Sequence, residues 1–292
     1  MSYVFLINRF SLKNNTEKFV NELTTICQKL NIDYKLEINS NLRTTEDILK
    51  KYIDSKNIII CLGGDGTINR TLNAIVNTDN ILGYIPLGTG NDFYKSNKEL
   101  LADGINKVDL IKINDKYFIN TACFGIDADI ANTDKLIHSS IIPKSQRYNV
   151  SIIKNFIKYR PRHLKIVING KKYEDNYTTV VLCNGRYYGG RYKVGTNALL
   201  DDGLIDVYLA EKTSKIRMLK LLLNMRKGKH DKDKSINKIN AKKVYIESPK
   251  QIKCNIDGEI LEDNKFNIEV IPKGIKIYFN SKLIDKLLGL KI

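Results

Sequence analysis

The sequence predicts an α/β plus all-β protein: an N-terminal open parallel α/β domain followed by an antiparallel β-sandwich with inserted helices. Three observations carry that prediction. Strand-like and helix-like periods alternate from Met1 to about Ala122, the grammar of a parallel sheet covered on both faces. Two glycine clusters, at 63–66 and 88–90, each follow an apolar run directly, and ligands of such sheets sit at the carboxyl ends of the strands. Beyond residue 122, β runs succeed one another with few helices between them, which indicates antiparallel layers. The expected division is 1–122, rejoined by a terminal helix over 281–292, and 123–280.

Taken in order, Val4–Asn8 reads as a strand, and Thr16–Leu30 as a helix with Phe19, Leu23, Ile26 and Leu30 on one side. A short strand follows at Tyr34–Ile38, then a helix over Thr45–Tyr52 with Thr44 or Thr45 as its cap. The run Asn57–Leu62 ends in the first glycine turn, a helix is expected from Thr67 to Val76, and Leu82–Pro86 leads into the second turn. In the second half, Asn169-Gly170 is a strong two-residue hairpin signal between Leu164–Ile168 and Tyr177–Cys183. Further strands are expected at Leu204–Ala210, Lys243–Glu247, Ile252–Ile256, Phe266–Ile271 and Ile275–Phe279. Two inserted helices are expected: Ser145–Tyr159, and Ser214–Lys227 with Ile216, Leu219, Leu222 and Leu223 on one face. Ser281–Leu290 reads as an amphipathic helix packing back on the first domain.

At 292 residues, 42% hydrophobic and 27% charged, the chain has the bulk properties of a soluble globular protein. No apolar run approaches the roughly 20 residues a membrane span requires. The opening segment lacks a basic flank and cleavage site, so it reads as a first strand rather than a leader. Five scattered cysteines speak for reduced thiols and a cytoplasmic setting, and against a zinc site. The net charge of +16 predicts attraction to an anionic partner, although Lys-, Asn- and Ile-rich composition is an equally weighted explanation. The histidines (His138, His163, His230) match no catalytic or metal spacing.

The chemistry concentrates at the turns. Glycines allow close approach, and N–H groups at the start of a helix favour an anion. One glycine-rich turn alone is more simply a tight loop; two at one sheet edge, each carrying a carboxylate, favour a phosphate site. The segments Gly63-Gly64-Asp65-Gly66-Thr67-Ile68-Asn69 and Pro86-Leu87-Gly88-Thr89-Gly90-Asn91-Asp92-Phe93 resemble the catalytic region of the diacylglycerol kinase family, in particular its bacterial soluble lipid kinases. Asn120…Gly125-Ile126-Asp127, Gly189-Gly190, Leu199-Leu200-Asp201-Asp202-Gly203-Leu204 and Asp257-Gly258-Glu259 match that family in the same order along nearly the whole chain.

The resemblance implies an ATP-dependent lipid kinase, acting on diacylglycerol or a related lipid, with ATP and Mg²⁺ as cofactors. Nucleotide contacts would come from Asn8, Ser40 (or Asn39), Gly63, Gly64, Asp65, Gly66, Thr67, Ile68, Asn69, Arg70, Gly88, Thr89 and Asn91. Asp65 and Asp92 would hold the catalytic Mg²⁺, and Leu199, Asp202 and Leu204 a structural one. Asp257 and Glu259 are the candidate bases for the acceptor hydroxyl, with either assignment open. On residues alone, Asp257-Gly258-Glu259 is more simply a hairpin turn, and Asp201-Asp202-Gly203 is as readily a β-turn. Two departures bear on the nucleotide: the first turn, Asn8-Arg9-Phe10-Ser11-Leu12, lacks the family's proline and glycine, and Arg70 replaces its usual Glu.

Cations cluster around the two inserted helices, from Lys144 to Lys165 and from Lys215 to Lys234. Peripheral contact with an anionic membrane is one expectation, weighed against a core-packing helix with a solvated basic face. No nucleic-acid partner is expected, since no reading module is visible; a homodimer stays open. The rival functions are an NAD kinase, which shares the first glycine turn, and a non-catalytic membrane- or nucleotide-binding regulator of the same fold.

Overall fold

A computed structural model describes residues 2–12, 15–39, 44–125, 159–190 and 192–290. The expected helix Ser145–Tyr159 (but for its last residue), Ser40, Asp127, His138 and the cations Lys144, Arg147, Lys154 and Lys158 lie outside the described residues. The described helices are α1 (Thr16–Lys29), α2 (Thr45–Leu49), α3 (Asp65–Ile75), α4 (Asp92–Asn97), α5 (Lys215–Arg226) and α6 (Ser281–Leu288).

Strands β1 (Tyr3–Asn8), β2 (Tyr34–Asn39), β3 (Ile58–Gly63) and β4 (Ile81–Pro86) pair in parallel in the order β2-β1-β3-β4. Along β1 and β3, Val4, Leu6, Ile59 and Cys61 pack toward α2 and α3, while Phe5, Ile7, Ile58, Ile60 and Leu62 pack toward α1 and α6. Covering both faces is why these runs are apolar at every position rather than at every second one. Leu283, Ile284 and Leu287 of α6 are fully buried against α1 and the sheet, each burial contributing roughly 2 kcal/mol. Helix α3 starts two residues before Thr67, with Gly64 as its cap residue.

The second half begins with β5 (Gly104–Ile113) and β6 (Lys116–Phe118), neither of which the sequence reading assigned. It continues through β7 (Thr121–Gly125), β8 (Arg162–Ile168), β9 (Lys171–Cys183), β10 (Tyr187–Tyr188), β11 (Tyr192–Lys193), β12 (Ile205–Glu211) and β13 (Ile236–Ala241). The expected pairs of strands at 243–256 and 266–279 are instead two long bent strands, β14 (Lys243–Ile256) and β15 (Glu259–Phe279). Ser248-Pro249 and Pro272-Lys273-Gly274, which read as breaks, are register shifts within continuous strands.

These bends close the sandwich. One half of β9 and one half of β14 pair with β8, and their other halves pair with β7, enclosing a core of Phe118, Phe124, Leu182, Val207 and Phe266. At its far end β15 pairs in parallel with β4. The described strands therefore form one thirteen-stranded sheet, with β10 and β11 as a separate ribbon.

Candidate active site

Both glycine turns lie at the carboxyl ends of β3 and β4, and they touch. The N–H groups of Leu87 and Gly88 donate to the Gly63 carbonyl at 2.9 and 3.0 Å. A Cβ on Gly88 would meet the Gly64 Cα at 2.4 Å, backbone against backbone, and one on Gly63 would meet the Thr67 hydroxyl oxygen at 2.4 Å. Only glycine allows this contact. Asn91, at φ 53°, spends its amide on the second turn: its Oδ1 accepts from Gly88 N–H at 3.0 Å and its Nδ2 donates to Gly88 O at 2.7 Å. Thr89 is exposed at the tip.

The first-turn N–H groups of α3 that the helix cannot use belong to its N-terminal residues. Thr67 N–H already closes on Gly64 O at 2.9 Å, so the outward-facing set is Gly64, Asp65 and Gly66. The Thr67 hydroxyl accepts from Asn8 Nδ2 at 2.9 Å, tying β1 to the turn. The Ile68 side chain is buried in the core and Asn69 is turned inward. Asn69 Nδ2 donates to Tyr117 O at 3.0 Å and to Asp257 Oδ2 at 3.4 Å. The glycine-free first turn is a short 3-10 helix over Arg9–Leu12, leaving Phe10 exposed.

Four carboxylates converge here. A Cβ on Gly90 would lie 2.9 Å from Asp65 Oδ2 and 3.8 Å from Asp92 Oδ2, so both side chains flank one glycine. Asp65 Oδ1 accepts from Phe93 N–H at 3.1 Å, and the Asp92 oxygens accept from Gly190 N–H at 2.7 and 3.0 Å. Burial, reinforced by the charge of Asp65, pushes the Asp92 carboxyl up to about 6. Asp257 and Gly258, at φ 49° and 95°, form the two-residue turn between β14 and β15. The hairpin reading of that motif is thus correct, and the same turn carries the carboxylates to the glycine crevice.

The two candidate bases differ sharply. Asp257 is buried, and its carboxylate accepts from the N–H groups of Ile119, Asn120 and Thr121 at 2.8, 3.1 and 2.8 Å. Burial outweighs those bonds and raises it to about 6. Glu259 is half-exposed; its Oε1 lies 3.5 Å from Arg70 Nη1 and 3.1 Å from the position of a Cβ on Gly66. Glu259 therefore overhangs the N-terminus of α3, with Arg70 beside it.

Several residues at the site escaped the sequence reading. Ser96 Oγ accepts from Arg186 N–H at 3.0 Å and Tyr187 N–H at 2.9 Å and donates to Asn120 Oδ1 at 3.1 Å, docking the second half onto α4. Gly185 packs against Asn120 so closely that a Cβ would fall 1.8 Å from its Oδ1. Asn184 Nδ2 donates to the carbonyls of Ile119 and Asp109 at 2.8 and 3.2 Å. Asn184 ends a strand as Asn8 does, and that placement is the one signal that singles it out.

Leu199, Asp202 and Leu204 lie on a turn in which Asp202 Oδ1 accepts from Leu204 N–H at 3.0 Å. That turn is pinned by fully buried Asp109, which accepts from Gly203 N–H at 2.6 Å and Lys273 N–H at 2.7 Å. No group of three or more His, Cys, Asp or Glu that could hold a metal occurs among the described residues. All five cysteines are buried and unbridged. An open groove of about 730 Å³ lined by Lys112, Asn169, Tyr245 and Asn267 includes none of the glycine-turn residues.

Comparison with known proteins agrees with this architecture. Residues 2–116 match the diacylglycerol kinase catalytic domain, and residues 120–279 match the YegS C-terminal NAD kinase beta sandwich-like domain. Proteins of Staphylococcus aureus strains MSSA476 and MW2, provisionally named lipid kinases, are each 26% identical over 94% of this chain and 95% of theirs. A crystal structure from Bacillus anthracis, titled as a provisional diacylglycerol kinase, superposes with a TM-score of 0.74 at 20% identity, covering 96% of both chains. A second, titled as a diacylglycerol kinase from the same organism, gives 0.66 at 19% identity over 96% of this chain and 97% of that one. At such identities the solved structures speak to fold alone. With both halves of the chain matched in order, the protein belongs to the diacylglycerol kinase catalytic-domain family, in the branch that carries a beta-sandwich-like C-terminal domain.

Proposed function

We propose that this protein is an ATP-dependent lipid kinase that transfers the γ-phosphate to the primary hydroxyl of diacylglycerol or a related lipid. The observation that carries the reading is a meeting of chain ends: Glu259, from the last long strand, overhangs Gly66 at the start of α3. A carboxylate beside a phosphate-binding helix terminus is the arrangement phosphoryl transfer needs, because that reaction depends on positioning and charge neutralisation.

In this reading the triphosphate lies along the outward N–H groups of Gly64, Asp65 and Gly66, where the helix dipole favours negative charge. Thr89 is free to contact the nucleotide from the second turn, whereas Asn8, Asn69 and Asn91 act by holding the turns in shape. Asp65 and Asp92 are two hard oxygen donors flanking one glycine, a donor set that fits Mg²⁺ completed by water. When bound there, the ion would neutralise charge on the phosphoryl oxygens. Glu259 takes the proton as the lipid hydroxyl oxygen bonds to the γ-phosphorus and ADP departs. Asp257 is the positioning residue: it fastens 119–121 and, through Asn69, α3 to the turn that carries Glu259. The turn holding Leu199, Asp202 and Leu204 supplies one carboxylate and two carbonyls for a structural cation.

The test offers γ-labelled ATP with diacylglycerol, phosphatidylglycerol, a sphingoid base or an isoprenoid alcohol in mixed micelles, and NAD⁺ in a parallel tube. A Mg²⁺-dependent phosphorylated lipid is expected. Glu259→Gln should lower its formation by roughly 100-fold or more while fluorescent-ATP binding persists. Label appearing in NAD⁺ and in no lipid would reject the proposal in favour of an NAD kinase.

A further inference from the structure

We infer that helix α5 seats this protein on an anionic lipid bilayer. The sequence reading weighed membrane contact against core packing for the face of Ile216, Leu219, Leu222 and Leu223, and the fold buries the opposite face. Met218, Leu221 and Met225 are buried, Met225 among Val181, Cys183, Val194 and Tyr208 of the sandwich, whereas Ile216, Leu219 and Leu223 are 85%, 53% and 54% exposed. At 3.6 residues per turn these three form one contiguous solvent-facing stripe. Helices of water-soluble proteins rarely leave such a stripe uncovered without a partner.

Charge identifies the partner. Helix α5 contains no acidic residue, and exposed Lys220 and Lys227 flank the apolar stripe on one side, with Arg226 on the other. Arg217 is engaged by a carboxylate, 2.6 Å from Asp233, and lies off the stripe. Aliphatic side chains between cations suit the boundary of acyl chains and anionic headgroups. A second copy would instead bring the same cations together in a chain of net charge +16.

Position strengthens the assignment. Helix α5 packs on β11, and the ribbon of β10 and β11 turns at Gly190, whose N–H is bound by Asp92. One ribbon thus separates the proposed membrane face from the crevice. This use of the surface rests on the lipid-kinase reading; the binding itself does not.

The experiment floats the full chain with phosphatidylglycerol–phosphatidylcholine vesicles and with phosphatidylcholine vesicles alone. Leu219→Ser/Leu223→Ser and Lys220→Gln/Lys227→Gln are compared with wild type, their folding checked by circular dichroism and melting. Wild type should bind the anionic vesicles and not the neutral ones. Each cation near such a surface is worth roughly fivefold in partitioning, so the lysine pair should weaken binding at least tenfold, and the leucine pair comparably. Turnover of a short-chain, micelle-free diacylglycerol should be unchanged in both variants. Equal vesicle binding by wild type and both variants overturns the inference. So does a self-associated wild type that the leucine pair disperses without altering vesicle binding. Vesicle binding that responds to both pairs, in a protein that phosphorylates no lipid, upholds the docking and removes only the kinase reading.

Discussion

Asp92 and Asp257 are carboxyls whose ionisation is linked to folding. Each is held at about 6 against an ordinary value of 3.8, chiefly by burial. The folded state therefore keeps these protons longer than the unfolded chain does. Their contribution to stability is complete below about pH 4 and falls as pH rises toward about 6. In urea melts, Asp92→Asn should flatten that decline, by up to about 3 kcal/mol. Added Mg²⁺ should restore stability above about pH 6 in wild type and not in the variant. An identical pH slope in the two proteins would remove this electrostatic assignment. Asp257→Asn should separate from Glu259→Gln in kind. The first leaves N–H donors at 119–121 under-satisfied and costs about 2 kcal/mol, whereas the second should melt like wild type.

Among the elements, the two glycine turns behave as one unit. Gly88 fits only because nothing stands between its Cα and that of Gly64. Gly88→Ala forces the turns apart, since backbone cannot swing aside as a side chain can. The expected result is at least a tenfold weaker ATP affinity, read by fluorescent-nucleotide titration, with a melting temperature lowered by several degrees. Gly64 and Gly88 are visible in the sequence as members of separate turns; that they press on one another is not. Helix α5 gives the complementary case. Its apolar residues surround most of the cylinder, so periodicity alone did not choose which stripe faces the core. The tertiary fold buried Met218, Leu221 and Met225, the last of them against Val194 and Tyr208.

At the scale of the whole molecule, a polar seam and a shared strand join the two halves beside the crevice. Asn120, Ser96 and Asn184 form that seam, and β15 runs from the sandwich into the parallel sheet beside β4. Asn184→Ala removes the donor from two buried carbonyls, those of Ile119 and Asp109. A loss of about 1–3 kcal/mol is expected, together with reduced turnover, because 119–121 also hold Asp257. Melting curves and kcat should fall together. A stable variant with full activity would show that the seam does not position the site.

The amino-acid sequence by itself determined the parallel strands, the two turns and the order of the motifs. Doubly covered strands need unbroken apolar runs, and close backbone approach needs glycine, so both leave local marks. Tertiary structure decided the rest. Pro249 and Pro272 look like chain breaks until long strands are seen bending through them, because bulge and turn share the same residues. Asp257 and Glu259, two positions apart in one hairpin, are given different surroundings by the tertiary fold: one is enclosed by three N–H groups, the other is left at the edge of the crevice. That difference depends on chain more than a hundred residues away, at Ile119–Thr121, and no local pattern encodes it.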